Sequence, residues 1–406
     1  VTLVSQVDRI NFREGLYDDF DAPTAWASAQ NSASAKTNHR KTFLRDNGLL
    51  NRIGLKQEDI DVSEEVKLGG EDLSDMNAEL DSEGLGELTF LPTAAFRRNI
   101  SSEDFEALSE SVQMINPAPI PSFLGDKAEQ NWAFWDDPGT VPGYQPVDHY
   151  LQKYDDVEKV IEEVQEDIIG DVPLVMKPRS SSGGSDIYFY PDGVDGMVED
   201  WREDGIPQGY LAQYAIPHEF DLRTIAAKDT PVNGMKRYGD PDTDRANLSL
   251  LDSTSTEGKA KLALEQGAAE GIDMNDLDPA IQNMIEDHIE AFTDEYGKEY
   301  EELNTWIGWD FLAINPYDRK LNDYPDEIIE PLLQEDYETE NGNYLIFCEG
   351  NLSPGSIIDY INQEPEQDTS ANLWSYADAV SRGEEFERGV PEEIGLETLQ
   401  DRYQNL

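Results

Sequence analysis

The sequence predicts an α/β protein of mixed α+β type with more than one domain. Three observations carry that expectation. Strand-like and helix-like stretches alternate along 406 residues, a length that accommodates two or three domains and a sizeable core. Strand pairs joined by short turns recur through the middle, at residues 172–176 with 187–190 and at 221–228 with 232–237. Hydrophobic residues make up 38% and aromatics 10%, spread along the chain rather than gathered in one block, which fits a folded protein.

Charge bounds the function. There are 86 acidic residues against 30 basic ones, a formal net charge of −56. Self-repulsion on that scale becomes tolerable when concentrated salt shortens the Debye length to a few ångström. The expectation is a soluble protein of a salt-rich cytosol, as in an extreme halophile. Such a surface does not attract nucleic acid. The single cysteine, Cys348, excludes an internal disulfide and a Cys-based metal cluster, and the four histidines show no paired ligand spacing. No run of about 18 apolar residues exists, so no membrane helix is expected.

In chain order, residues 1–12 read as a first strand without a signal-peptide pattern. Lys36, Arg40, Lys41, Arg45, Arg52 and Lys56 then crowd together in a chain otherwise poor in cations. They are open to two readings, a helix paired with acidic neighbours or a cationic lip for an anionic substrate. Residues 57–86 read as loop and solvated surface, 87–91 as a strand and 102–114 as a helix, together a small α/β domain. Val157, Val160, Ile161, Val164 and Ile168 have the spacing of one helix face, as do Ile281, Met284, Ile285, Ile289, Phe292 and Tyr296. Strands are expected at 210–214, 309–315 and 344–348. An acidic stretch at 318–342 separates the last two. Helical pieces from residue 366 onward carry no evident chemistry.

Three stretches do carry chemistry. The first is DVPLVMKPRSSSGGSDIYFY, residues 171–190. Gly183 and Gly184 let its turn adopt φ > 0 and aim backbone N–H groups at an anion. The hydroxyls of Ser180, Ser181 and Ser182 add donors, and Lys177 places a charge at the root. Taken alone, the segment reads first as an ordinary surface hairpin and second as a phosphate-covering flap. It is not a Walker loop, since no Lys-Ser/Thr follows the glycines. The second is the pair GWDFLAIN and YLIFCEGNLSPG. If these strands pair antiparallel, Asp310, Glu349 and Asn351 converge at one end of a sheet, a hard-oxygen set suited to Mg²⁺. The third runs from Tyr210 to Leu251. Its backbone at 213–216 could meet an adenine edge, Glu219 and Asp221 could reach ribose hydroxyls, and Arg223, Arg237 and Arg245 serve either phosphate contacts or salt bridges.

The order of these parts resembles the ATP-grasp superfamily, and within it the glutamate-ligase (RimK-like) branch. The resemblance rests on Lys177 with its Ser/Gly loop, Gln213-x-x-Ile216, Asp221-Leu-Arg223, Met235-Lys-Arg237, Arg245-Ala-Asn247, Asp310, and Glu349-Gly-Asn351-x-x-Pro-Gly355. Asn116-Pro117 followed by Asp126-Lys127 is similar to the start of that family's nucleotide domain. The resemblance covers roughly residues 115–360. It implies an ATP-grasp fold: an N-terminal α/β domain at 1–115, a small subdomain with the flap at 116–215, a second subdomain with the metal site at 216–365, and a helical tail at 366–406. It implies that Lys127 and Lys177 contact ATP, with the loop of Ser181, Ser182, Gly183 and Gly184 closing over the phosphates. Gln213, Tyr214 and Ile216 would hold adenine, and Glu219 and Asp221 the ribose. Arg237 would face the transferred phosphoryl group, Arg245 and Asn247 would orient an acyl phosphate, and Asp310, Glu349 and Asn351 would bind two Mg²⁺, or Mn²⁺ in their place. The implied activity is an ATP-dependent carboxylate–amine ligase acting on small-molecule or peptide substrates. A nucleotide-binding scaffold without turnover and a kinase are the alternatives, and a homo-oligomer is left open. Tyr214 departs from the Glu common at that position, His218-Glu219-Phe220 before Asp221 is unusual, and 318–342 widens the gap between the metal strands.

The charge yields a first expected outcome. Diluting KCl or NaCl well below ~1 M should lower the melting temperature steadily, because self-repulsion is then unscreened. A melting temperature that stays flat from dilute buffer to saturated salt would contradict it.

Overall fold

In a computed structural model of the chain, the described residues are 2–5, 25–27, 60–61, 67–68, 71–72, 78, 88–91, 102–111, 113–118, 120–134, 139–140, 151–153, 156–168, 172–180, 186–239, 251, 255–296, 303–352, 357–362 and 364–389. The basic segment 36–56 lies outside them, as do Ser181, Ser182, Gly183, Gly184, Arg245 and Asn247.

The front of the chain forms strands β1 (Thr2–Ser5), β2 (Ala25–Ala27) and β6 (Leu88–Leu91), helix α1 (Ser102–Ser111) and strand β7 (Gln113–Met114). They make a parallel sheet of order β2-β1-β6-β7. Between β2 and β6, a stretch expected to be loop forms three two-residue antiparallel strands, β3 (Ile60–Asp61), β4 (Lys67–Leu68) and β5 (Glu71–Asp72). Helix α1 was expected to reach residue 114 but ends at Ser111. Gln113 and Met114 instead pair in parallel with Thr89 and Phe90, so sheet hydrogen bonding overrides the helical pattern.

Next come α2 (Ile120–Leu124), α3 (Lys127–Ala133), α4 (Val157–Asp167), β8 (Leu174–Pro178), β9 (Tyr188–Tyr190), α5 (Gly193–Asp204) and β10 (Tyr210–Tyr214). The three strands form an antiparallel sheet of order β10-β8-β9. Helix α4 begins at Asp156, whose side chain accepts from the Glu158 N–H at 3.1 Å and so satisfies one orphan donor of the first turn. It buries Val160, Ile161 and Val164, while Val157 is left exposed at its first turn. These side chains share a core with Leu174, Met176, Met197 and Trp201.

The remaining elements are β11 (Phe220–Ala227), β12 (Thr230–Arg237), α6 (Thr256–Gln266), β13 (Ala269–Ile272), α7 (Pro279–Tyr296), β14 (Trp306–Ile314), α8 (Asp326–Ile329), β15 (Tyr344–Asn351), α9 (Ile357–Ile361) and α10 (Thr369–Arg382). The strands make one antiparallel sheet of order β13-β12-β11-β14-β15. Helix α6 stops at Gly267, whose φ of 67° is the left-handed conformation that glycine adopts without a Cβ clash.

Strand β14 shows what the sheet is for. Ile307, Trp309, Phe311 and Ala313 pack with α2, with Phe134 just after α3, and with α7 in one apolar cluster, at roughly 1.5–3 kcal/mol per large side chain buried. The alternate residues point the other way, as strand periodicity requires. There Trp306 joins a core built with α6, α9 and α10, and Ile314 joins the core of the three-stranded sheet. Asp310 lies between them. The acidic stretch 318–342 and the residues after 366 are structural as well. Leu321, Tyr324, Ile328 and Leu332 enter the three-stranded sheet's core, Tyr337 enters the α7 cluster, and Leu373, Tyr376, Ala377 and Val380 of α10 pack on the α6 side.

Helix α7 buries His288 against the rings of Phe134 and Phe347, at centroid distances of 4.6 Å and 4.5 Å. Its Nδ1 sits 2.7 Å from the Met284 carbonyl, and burial pushes its pKa down from 6.5 to about 4. The native state therefore stays neutral where the unfolded chain already binds a proton. Stability should fall as pH drops from 6.5 toward 4, by up to about 3 kcal/mol. Urea midpoints measured across that window should fall more steeply for wild type than for His288→Phe. Parallel pH slopes would contradict the assignment.

Candidate functional site

The five-stranded sheet sets a polar row between two apolar cores. Across β11, β14 and β15, Arg223 stands opposite Asp310, and Asp310 opposite Glu349. One step along, Asp221 pairs with Arg237 of β12, and Asn351 pairs with Gly308. Directly opposed residues of an antiparallel pair share a face, so the register alone brings these side chains together. The Arg223 guanidinium grips Asp310 with two parallel bonds, Nε to Oδ1 at 2.6 Å and Nη2 to Oδ2. Arg237 Nη2 donates to Asp310 Oδ1 at 3.3 Å and lies 3.4 Å from Asp221 Oδ2. Asn351 Nδ2 donates to Asp310 Oδ2 at 3.1 Å and to Glu349 Oε1 at 3.3 Å.

A β-bulge makes this possible. Phe347 opposes Phe311 and Glu349 opposes Asp310, which leaves Cys348 as an extra residue in β15. Without it Phe347 and Glu349, two apart, would share a face. With it Phe347 packs in the apolar cluster while Glu349 joins the polar row.

Two lysines reach the row from elsewhere. Lys177 of β8 places Nζ 3.5 Å from Cys348 Sγ, and Lys127 at the start of α3 places Nζ 3.7 Å from Glu349 Oε2. Both are anchored near a further ion pair. Arg179 binds Asp126 through Nε at 3.0 Å and Nη2 at 2.6 Å, and its carbonyl accepts from the Lys127 N–H at 3.0 Å. His218 Nε2 sits 2.8 Å from Asp221 Oδ1, with Nδ1 2.9 Å from the Ile216 carbonyl.

The charges hold one another in place. Burial opposes ionisation of Asp310, but Arg223 and then Arg237 outweigh it and hold the carboxyl below its usual range. Burial likewise opposes the Arg223 charge, and Asp310 more than offsets it. Lys177 loses hydration too, yet its pKa is raised, by Cys348 once that thiol ionises and by the Glu349 carboxylate, which faces the charged amine at neutral pH. Burial pushes the Cys348 thiol up to about 11, so it stays protonated at neutral pH and is no nucleophile.

The structure brings together Lys127, Lys177, Asp221, Arg237, Asp310, Glu349 and Asn351. The convergence lies on the sheet's face beside the middle of β14, rather than at a sheet end, because Asp310 is the fifth of nine residues in that strand. Glu219 stands apart, accepting from Asn315 Nδ2 at 2.7 Å and Asn343 Nδ2 at 3.0 Å. Gln213 and Tyr214 are buried in β10, where Tyr214 joins the apolar core, and Ile216 follows the strand. His218, Cys348, Asp126 and Arg179 had no role in the site assigned from the sequence, while Arg223 was left between phosphate contact and salt bridge and is found paired with Asp310. The alternation of Asp221 and Arg223 on one strand was the available signal for Arg223. Among the described residues no group of three or more His, Cys, Asp or Glu side chains is arranged to hold a metal ion. Asp310 and Glu349 with Asn351 form a mixed set of two carboxylates and an amide. Once a half-turn of the amide presents Oδ1, the three would offer hard oxygen donors on one face to a divalent cation, which would share Asp310 with Arg223.

No protein-family model matches the sequence, and no curated protein does. Among solved structures the chain is similar to the D-cycloserine synthetase DcsG, with 11% identity over 94% of this chain and 99% of that one, at a TM-score of 0.49. It is similar to the ATP-grasp ligase PsnB complexed with minimal precursor, Mg and ADP, with 11% identity over 94% and 98% and a TM-score of 0.49. A third is the D-alanyl-alanine synthetase A from Vibrio cholerae, with 11% identity over 94% and 98% and a TM-score of 0.46.

The Arg223–Asp310 pair can be tested by itself. Arg223→Met leaves a buried carboxylate with only Arg237 and Asn351, and should cost about 3–5 kcal/mol of stability. Adding Asp310→Leu should recover most of that loss in a denaturant titration. An Arg223→Met midpoint equal to wild type would show that the pair contributes nothing.

Proposed function

We propose that the chain is an ATP-dependent carboxylate–amine ligase of the ATP-grasp type, working through an acyl phosphate. One observation carries this reading. In a chain with 86 acidic and 30 basic residues, Lys127, Lys177, Arg223 and Arg237 converge on a face with three carboxylates, Asp221, Asp310 and Glu349. Gathering scarce cations into a desolvated cluster is costly for a purely structural purpose. A polyanion such as a nucleoside triphosphate gives the cluster a ligand, and Arg with Lys is the set that meets phosphate.

In this reading Lys127, Lys177 and Arg237 meet the ATP phosphates while the loop containing Ser181, Ser182, Gly183 and Gly184 covers them. The backbone along Gln213, Tyr214 and Ile216 takes adenine, with Asp221 or Glu219 at the ribose. Arg245 and Asn247 orient the acyl phosphate. Asp310, Glu349 and Asn351 would hold two Mg²⁺, while Asp310 also stays paired with Arg223. Bound metal would neutralise phosphate charge. A substrate carboxylate oxygen attacks the γ-phosphorus and ADP leaves; an amine nitrogen then attacks the acyl carbon, and phosphate leaves as the amide forms. Such transfers depend on positioning and charge neutralisation rather than a protein nucleophile, which agrees with the protonated Cys348 thiol. The substrates are a small-molecule or peptide carboxylate and an amino-acid amine.

The test is ADP and phosphate release at molar KCl with Mg²⁺, ATP and panels of carboxylates and amines. Release should require one acid and one amine together. Arg237→Met should lower kcat by roughly 10²–10³-fold, the cost of losing one charge-stabilising donor. Lys177→Met should weaken ATP binding while the fold survives. ATP binding without release for any pair would leave the scaffold reading in its place.

A further inference from the structure

Strand β15 is the edge of the five-stranded sheet, so its outward N–H and C=O groups need partners from outside the sheet. Among the described residues, besides a bridge from Glu338 to Tyr344, two partners meet it near the bulge. The Phe347 N–H donates to the Gly139 carbonyl at 2.7 Å. The Gly350 N–H donates to Gln130 Oε1 at 2.8 Å, and Gln130 Nε2 donates back to the Gly350 carbonyl at 3.1 Å and to the Leu124 carbonyl at 3.0 Å. Gln130 thus behaves as one residue of an added strand, buried on α3 with its polar atoms engaged.

The spacing of those outward groups matters. In a regular strand, residues facing one edge are two or four apart. Here they are 347 and 350, three apart, and the extra residue Cys348 accounts for the difference. A strand without the bulge would turn the Gly350 amide away from Gln130 and carry Glu349 toward the side where Phe347 packs. Gly350 fits because it is glycine: a Cβ there would come within 2.8 Å of Leu124 Cδ2.

We propose that Gln130 is a positioning residue whose carboxamide fixes the bulge at Cys348 and so holds Glu349 and Asn351 on the face that carries Asp310. The proposal rests on the ligase reading for its consequence, the divalent-cation site, but not for its geometry. Loss of the carboxamide frees the Gly350 amide and loosens two of the three candidate metal donors. Outer partners that orient metal ligands are worth roughly 10–100-fold in metal affinity.

The experiment uses the full chain at molar KCl with two readouts. Hydrogen exchange of the peptide containing Gly350 is measured without metal. Mn²⁺ affinity is measured by electron paramagnetic resonance with ADP present, and ADP affinity separately in EDTA. Gln130→Leu should speed Gly350 exchange and weaken Mn²⁺ by roughly 10–100-fold, with ADP affinity in EDTA kept within about twofold. Gln130→Glu keeps an acceptor for the Gly350 N–H but loses both donors, so it should fall between; it carries the test if the Leu variant does not fold. Gly350 exchange as slow as wild type, or Mn²⁺ affinity within about twofold of it, overturns the proposal. A wild type that binds neither ADP nor Mn²⁺ overturns the ligase reading instead, and Gly350 exchange alone then decides the role of Gln130.

Discussion

A charged row buried between two apolar cores must neutralise itself, and the pairing of Arg223 with Asp310 is where that requirement is met. Asp310 is 4% exposed, with its strand neighbours Trp306 and Ile314 packed into separate cores on either side. Removing both charges from water costs several kcal/mol each, and only close, well-oriented partners restore it. The bidentate geometry of Arg223 supplies that, while Arg237 and Asn351 occupy the remaining directions. The pairing in turn requires the β11–β14–β15 register, the bulge that turns Glu349 inward, and the lysines that approach from β8 and α3.

The same requirement separates the site from the rest of the molecule. A surface with a net charge of −56 depends on dissolved ions for screening, whereas buried pairs are screened little by salt. Concentrated salt therefore quiets the outer repulsion and leaves the inner cluster's field largely intact. A cationic surplus over three carboxylates remains inside an acidic protein, and that asymmetry is what a phosphate ligand would meet.

Much of this was legible in the sequence, because strand alternation is a strong signal. Asp310 stands between Trp309 and Phe311, and Leu222 between Asp221 and Arg223, and the structure places these two stretches as paired strands. The motif order placed Lys127, Lys177, Asp221, Arg237, Asp310, Glu349 and Asn351 in one proposed site, and their side chains do converge. What alternation could not disclose is a break in alternation. Phe347 and Glu349 are two apart and occupy opposite faces, because Cys348 is an extra residue in the ladder, and the groups that bond its flanking residues, Gly139 to Phe347 and Gln130 to Gly350, lie about two hundred positions earlier. The stretch 318–342 read only as an acidic insertion between two strands, yet Leu321, Tyr324, Ile328 and Leu332 recur at helix-like spacing and are buried. Glu219 sits two residues from Asp221, but at that end of the strand Asn315 and Asn343 claim it.

The central claim is that the polar row between the sheets is where nucleotide phosphates bind. Hydrogen exchange of the wild-type chain at molar KCl, with and without ADP and Mg²⁺, addresses it directly. The account expects nucleotide to slow exchange in peptides covering 172–190, 220–237 and 344–351, and to leave α10 at Thr369–Arg382 unchanged. Protection confined to other regions, or none at saturating nucleotide, would contradict it.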